Sequence, residues 1–154
     1  SGLLAMARGA EAQRRLSMAF AAHLVNKRYI AVVAGRLEPP EQEWGVIDLP
    51  IGPDWSNRPR NMVDPVSGRP SLTRWRVLGQ EDGATRVELE PVSGRTHQLR
   101  VHLQALGHPI LGDHLYAPPE VQARSERMLL HAWSLSLMHP LTGAFLNLLR
   151  PAPF

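Results

Sequence analysis

The chain reads as an α+β fold, a mixed and mainly antiparallel sheet with packed helices, on three observations. Two stretches alternate apolar and polar residues on either side of a turn, one long stretch repeats apolar residues at helical spacing, and a shorter helical stripe ends at Gly107 and Pro109. No internal repeat, low-complexity tract or linker divides the 154 residues, so one domain over 1–154 is expected.

The elements follow in order. Residues 3–7 read as a strand. Residues 10–25 are predicted helical, because Ala12, Leu16, Phe20 and Leu24 recur every fourth position and Glu11 stands four residues before Arg15. Residues 28–34 alternate as a strand that stops at Gly35; Pro39 and Pro40 mark a loop, and 46–51 form a short edge segment broken by Pro50. A hairpin covers 73–89: Thr73, Trp75 and Val77 alternate with Arg74 and Arg76, the turn falls at Glu81-Asp82-Gly83, and Val87 and Leu89 alternate with Arg86, Glu88 and Glu90. A helix is predicted over 97–106, with Thr96 as its N-cap and Gly107 as its stop. A second hairpin pairs 129–138 with 144–149 across His139-Pro140-Leu141-Thr142-Gly143.

Composition narrows the function classes. With 44% apolar residues the chain can bury a core, and with no cysteine it has no disulfide framework, thiolate metal site or Cys nucleophile. No apolar run approaches the roughly 18 residues of a membrane span, and no signal peptide is recognisable, so a cytoplasmic location without a membrane partner is expected. The formal charge is +3, and Lys27 is the single lysine among 17 basic residues. Between Asp54 and Arg76 lie Arg58, Arg60, Arg69, Arg74 and Arg76 against only Asp54 and Asp64. Such density suits phosphate contacts, while the blander reading is a solvated strand face.

The run Val92-Ser93-Gly94-Arg95-Thr96-His97-Gln98-Leu99-Arg100-Val101-His102-Leu103 is the strongest chemical signal. Arg95 and Arg100 stand at the start of the predicted helix, where the positive end of the dipole disfavours each cation by about 0.3 to 1 kcal/mol. An anion is therefore expected beside them, either a carboxylate or a phosphate. On spacing alone, a surface helix with arginines facing water fits equally well.

Five motifs in order carry a resemblance over the whole chain. They are Ser1-Gly2-Leu3-Leu4; Lys27-Arg28-Tyr29-Ile30-Ala31; the run from Gly94 to Leu103; Gly107-His108-Pro109-Ile110-Leu111-Gly112-Asp113-His114-Leu115-Tyr116; and Leu130-His131-Ala132 with His139-Pro140. In these the chain resembles the C-terminal two thirds of the RluA-family pseudouridine synthases, which implies their catalytic-domain fold, N-terminally truncated. Ile47-Asp48-Leu49-Pro50 with Asp54-Trp55-Ser56-Asn57-Arg58-Pro59 is similar to the subgroup acting on both 23S rRNA and the tRNA anticodon stem-loop.

The resemblance implies an isomerase that turns uridine into pseudouridine without cofactor or metal, with RNA rather than DNA as partner, and working as a monomer. It assigns catalysis to Tyr29 and Arg100. Tyr29 offers a stacking face and a hydroxyl that moves a proton or positions water; Arg100 keeps the nucleophilic aspartate ionised and aimed. Leu99 packs under the base, while Arg95, Thr96, Arg58 and Arg60 are the expected RNA contacts. The target base must be flipped out of its stack, which costs least in single-stranded loops.

The nucleophile implied by the family's Arg-Leu-Asp-x-x-Thr-Ser-Gly stretch would lie four residues before Ser1. None of Asp48, Asp54, Asp64, Asp82 and Asp113 stands in that context, so the 154 residues read as a fragment expected to be inactive. A module that binds structured RNA without chemistry is the alternative. A glycosidase-like hydrolase is discounted, since no pair of carboxylates points to a shared cleft. The seven histidines do not suggest a metal centre: His97 and His102 lie about 140° apart around a helix, and His108 and His114 are separated across a Gly-Pro turn. His131 and His139 are expected to fix loops by hydrogen bonds, and Asp113 and Tyr116 to shape and anchor a turn.

Overall fold

The computed structural model describes Ser1–Phe154. Its elements run α1 (Ala10–Ala21), β1 (Asn26–Ala34), β2 (Gly45–Asp48), β3 (Ile51–Pro53), β4 (Asn61–Val63), β5 (Leu72–Glu81), β6 (Ala84–Pro91), α2 (Gln98–Ala105), α3 (Pro119–Gln122), β7 (Leu130–Met138) and β8 (Phe145–Leu149). Six strands form one sheet in the order β2-β5-β6-β1-β7-β8, and β3 and β4 pair separately. All named strand pairs are antiparallel. Both predicted hairpins are present, with Asp82 and Gly83 taking the left-handed conformations that a tight turn needs.

Period-two alternation gives the sheet two different faces. On one side Ala31 and Val33 of β1, Trp75 of β5 and Val87 and Leu89 of β6 meet Leu99 and Leu103 of α2 and Ile110 in the main core. Arg28, Arg74, Arg76, Glu88 and Glu90 belong to the other side. The hairpin register sets Arg74 opposite Glu90 and Arg76 opposite Glu88, and the buried Glu88 receives Arg76 Nε at 2.7 Å. Trp44 lies against the guanidinium groups of Arg28, Arg74 and Arg76. The arginine-rich segment is thus not one phosphate-binding patch, because two of its five members are neutralised by carboxylates on the strand beside them.

Four local readings need correction. Residues 3–7 do not form a strand. Gly2 makes one parallel bridge with Ala132, and the next positions on that edge of β7, from Ser134 onward, are already paired with β8. Helix α1 ends at Ala21 rather than near Val25, because His23 turns left-handed at φ 56° and the Leu24 and His23 N–H groups bond back to the Ala19 and Phe20 carbonyls. Val25 is thereby freed to enter the core with Leu16, Leu135 and Leu137. The segment 46–51 splits into β2 and β3, which pair in different sheets on either side of Leu49 and Pro50. Thr96 caps nothing: the first turn of α2 starts from His97, at φ 57°, with the Val101 N–H bonding to the His97 carbonyl.

No helix is long and apolar enough to cross a membrane.

Candidate active site

The cleft lies where β1, the loop after β6 and the start of α2 meet. Tyr29 enters from the middle of the sheet, and Leu99 and Arg100 from the first turn of α2. With Lys27, Arg95, His97 and Gln98 they line a cavity of about 320 Å³. A second cavity of about 650 Å³ shares Lys27, Tyr29, Gly94 and Arg95 with it and extends toward Leu3, Leu4 and Phe20. Tyr29, Leu99, Arg95 and Arg100 are therefore brought together around one cavity. Thr96, Arg58 and Arg60 line neither cavity.

The loop from Ser93 to Arg95 is held by one side chain. Gln98 is buried; its Oε1 accepts from Ser93 Oγ at 2.8 Å and the Arg95 N–H at 3.0 Å, while its Nε2 donates to the Leu72 carbonyl and Thr73 Oγ1. This replaces the missing Thr96 cap and ties the mouth of the cleft to β5. His102, wholly buried one turn on, donates from Nε2 to the Leu49 carbonyl and receives the Thr73 hydroxyl at Nδ1. Burial pushes the His102 imidazole below its usual value.

The anion expected beside Arg100 is the carboxylate of Asp113. Arg100 Nε reaches Oδ2 at 2.8 Å and Nη2 reaches Oδ1 at 2.5 Å, a two-pronged pair with Asp113 fully buried and Arg100 only 14% exposed. Asp113 Oδ1 also accepts from the Leu115 and Tyr116 N–H groups. Burial pushes the Asp113 carboxyl up, but Arg100 and these N–H groups outweigh it and hold it below the ordinary range. Asp113 thus shapes its turn, as expected, and also fixes the plane of Arg100, which leaves Nη1 without a protein partner.

Tyr116 braces the other side of that guanidinium, its ring 4.7 Å from Arg100 and 5.3 Å from Arg60. Its hydroxyl accepts from the Asn61 N–H and donates to His97 Nδ1, each at 2.8 Å. Burial and the nearby Arg100 charge lower the His97 pKa, so the neutral ring is favoured as acceptor. Asn61 Nδ2 bonds to the Thr96 carbonyl, which is the contact that Thr96 actually makes. Through β4 and Tyr116 the segment carrying Arg58 and Arg60 is moored beside the start of α2.

Burial raises the pKa of the Tyr29 phenol and lowers that of Lys27. Lys27, Gln98 and His97 line the cleft, and Asp113 holds Arg100 from behind it; reasoning on the sequence assigned none of the four to the site. For Lys27 a signal existed: it is the only lysine in an arginine-rich chain. Gln98 and His97 carried none beyond their place in the motif.

Comparison with known proteins finds relatives along the chain. The family model described as RNA pseudouridylate synthase matches residues 1–105. The dual-specificity RNA pseudouridine synthases RluA of Pasteurella multocida and Escherichia coli K12 are 44% and 43% identical to the chain over all of it, which corresponds to 69% of each relative. The Vibrio cholerae counterpart is 44% identical, with 62% of its length covered. Among solved structures, human RNA pseudouridylate synthase domain containing 1 superposes with a TM-score of 0.77 at 32% identity, over 92% of this chain and 60% of that one. Human RNA pseudouridylate synthase domain containing 4 gives 0.68 at 27% identity, over 91% and 62%. With the family model spanning more than half of the chain and RluA relatives aligned along all of it, the chain belongs to the RNA pseudouridylate synthase family.

Proposed function

We propose that these residues form most of the catalytic domain of an enzyme that isomerises uridine to pseudouridine in structured RNA loops, with 23S rRNA, the tRNA anticodon stem-loop or both as substrates, acting as a cytoplasmic monomer. The observation that carries this reading is the convergence of Tyr29, Leu99, Arg95 and Arg100 on one cleft. The bond from uracil N1 to the ribose C1′ breaks, the base turns, and C5 bonds to C1′; C5 gives up its proton and N1 gains one. Tyr29, kept as the neutral phenol by burial, presents an aromatic face to the base and a hydroxyl for positioning or proton transfer. Leu99 supplies an apolar floor, and Arg100, its fork engaged by Asp113, has Nη1 left to hold an ionised nucleophile.

That nucleophile is the aspartate which the family pattern implies four residues ahead of Ser1. Neither cavity is lined by an Asp or Glu, an observation that also favours the second reading, RNA binding without turnover. Tritium release from RNA carrying 5-tritiated uridine distinguishes them. The 154-residue chain is expected to release none, and a chain preceded by an Arg-Leu-Asp-containing segment to release tritium. Robust turnover by the 154 residues alone would overturn the assignment of the nucleophile, and silence of the extended chain would leave the binding module.

A further inference from the structure

Rigid aromatic side chains left in water are uncommon, and Trp55 is one, 72% exposed on the segment between β3 and β4. The Arg58 guanidinium lies over its ring, 4.1 Å from the ring centre. Met62 and Val66, on and after β4, are also exposed, at 48% and 95%. Exposed aliphatic side chains are ordinary, but an exposed indole under a guanidinium offers a flat stacking face, and the charges around it indicate what fits there.

Seven of the sixteen arginines, Arg28, Arg74, Arg76 and Arg100 among them, are paired with carboxylates. Of the nine in no ion pair, Arg58, Arg60, Arg69 and Arg95 lie near one another. Arg69 bridges to Ile51 of β3, Arg95 Nε leans on the Pro70 carbonyl, and Asn61, next to Arg60, bonds to Thr96. The two carboxylates in this region are already engaged: Asp54 accepts from Asn57, and Asp64 from the Val66 and Ser67 N–H groups. A concentration of uncommitted arginines around an exposed indole favours a polyanion with flat bases over an apolar protein partner.

We propose that Trp55, backed by Arg58, is a stacking subsite for an unpaired nucleobase of the RNA loop, on the segment that Asn61 ties to Thr96 and Tyr116 and distinct from the position of the base that reacts. The inference rests on the proposed action on RNA and adds a contact to it. One face of the indole carries the Arg58 cation and the remaining aromatic surface is open to water, so a base completes the stack while Arg58, Arg60 and Arg69 neutralise the flanking phosphates. Stacking needs an unpaired base, so this subsite selects loops over duplex.

The test is a fluorescence titration of the 154-residue chain with a short RNA hairpin carrying an unpaired loop, and with the fully paired duplex of the same stem. Binding of the hairpin is expected to quench indole emission, and Trp55→Phe is expected to remove most of the quenching, since Trp44, Trp75 and Trp133 lie elsewhere. Trp55→Ala should weaken hairpin binding by about 5- to 150-fold, the range for losing one stacked base, with the duplex affected less. Arg58→Gln should instead lower the salt dependence, by a slope of about 0.7 for each phosphate that Arg58 neutralises. The exposed site leaves folding unchanged, and the melting temperature of each variant checks this. Hairpin binding that Trp55→Ala leaves within about twofold would overturn the subsite while leaving RNA recognition standing; equal losses for hairpin and duplex would overturn base stacking. Binding of neither RNA would overturn both this inference and the proposed function.

Discussion

Replacing Asp113 by Asn separates the charge of the Arg100 pair from the shape of the turn that holds it. The asparagine side chain would keep an Oδ1 able to accept from the Leu115 and Tyr116 N–H groups, so the backbone turn has no reason to open. With Oδ1 kept there and still accepting from Arg100 Nη2, the amide nitrogen takes the place of Oδ2 and sets a donor against Arg100 Nε, where a 2.8 Å bond stood. Removing one partner of a buried pair costs about 3 to 5 kcal/mol. Arg100 retains 14% exposure and can recover some hydration, so the lower end, about 3 kcal/mol, is expected. In a domain of this size that lowers the melting temperature by about 6 to 12 °C. The pH dependence has a definite sign. The Asp113 carboxyl is held below its ordinary value in the fold, so its contribution is present at neutral pH and is lost as acidification passes down through the carboxylate range. The variant should therefore show a flatter acid limb. Urea unfolding across pH, with Asp113→Asn, Arg100→Met and the double variant, measures the coupling. The double variant should recover most of the loss, because no charge is then left buried alone. A single variant melting within about 2 °C of the parent would refute the reasoning that the pair is a net stabiliser of this geometry.

Two further outcomes follow from the same contacts. In an enzyme that carries the aspartate, Tyr29→Phe should keep RNA affinity within about twofold and slow turnover by about a hundredfold or more if the hydroxyl moves a proton; an unchanged rate in the tritium-release assay would leave only stacking. Burial depresses the His102 pKa, so the fold should lose stability as pH falls below the ordinary imidazole value of 6.5, and His102→Gln should flatten that part of the urea midpoint against pH. An identical slope in the variant would show that the proton is taken up elsewhere.

Local order was legible to the extent that one face of each element is buried. The two hairpins and β1 emerged from alternation, because a strand with a single buried face must follow it. The errors sit at ends, where tertiary partners decide. Residues 3–7 have strand-like composition but find the edge of β7 taken, and the 10–25 pattern overran because His23, with no glycine to announce it, turned left-handed. At α2, Thr96 has the chemistry of a cap, yet Gln98 makes the bonds that hold the entering loop. Long-range chemistry was less accessible. That an anion would meet Arg100 followed from dipole and charge, but nothing in spacing identified it as Asp113, and the approach of Tyr29 was available only through resemblance.

The arginines show why counting charge along a sequence misleads and how the fold corrects it. Arg74 and Arg76 belong to the same dense stretch as Arg58 and Arg60, but they stand on a strand whose partner carries Glu88 and Glu90 in register. The turn at Glu81-Asp82-Gly83 alone would set Arg76 opposite Leu89; the register shift between Val77 and Gly79 brings Arg76 opposite Glu88 and Arg74 opposite Glu90, and both arginines leave the pool free for phosphate. Arg58 and Arg60 lie outside any hairpin with acidic partners, and the bonds from Asn61 to Thr96 and Tyr116 carry their segment to the start of α2. A net charge of +3 is too small to guide RNA by itself. What remains is local: acidic residues meet their arginines on the far face of the sheet, Asp113 satisfies the fork of Arg100, and Arg58, Arg60, Arg69 and Arg95 are left in no ion pair near the start of α2.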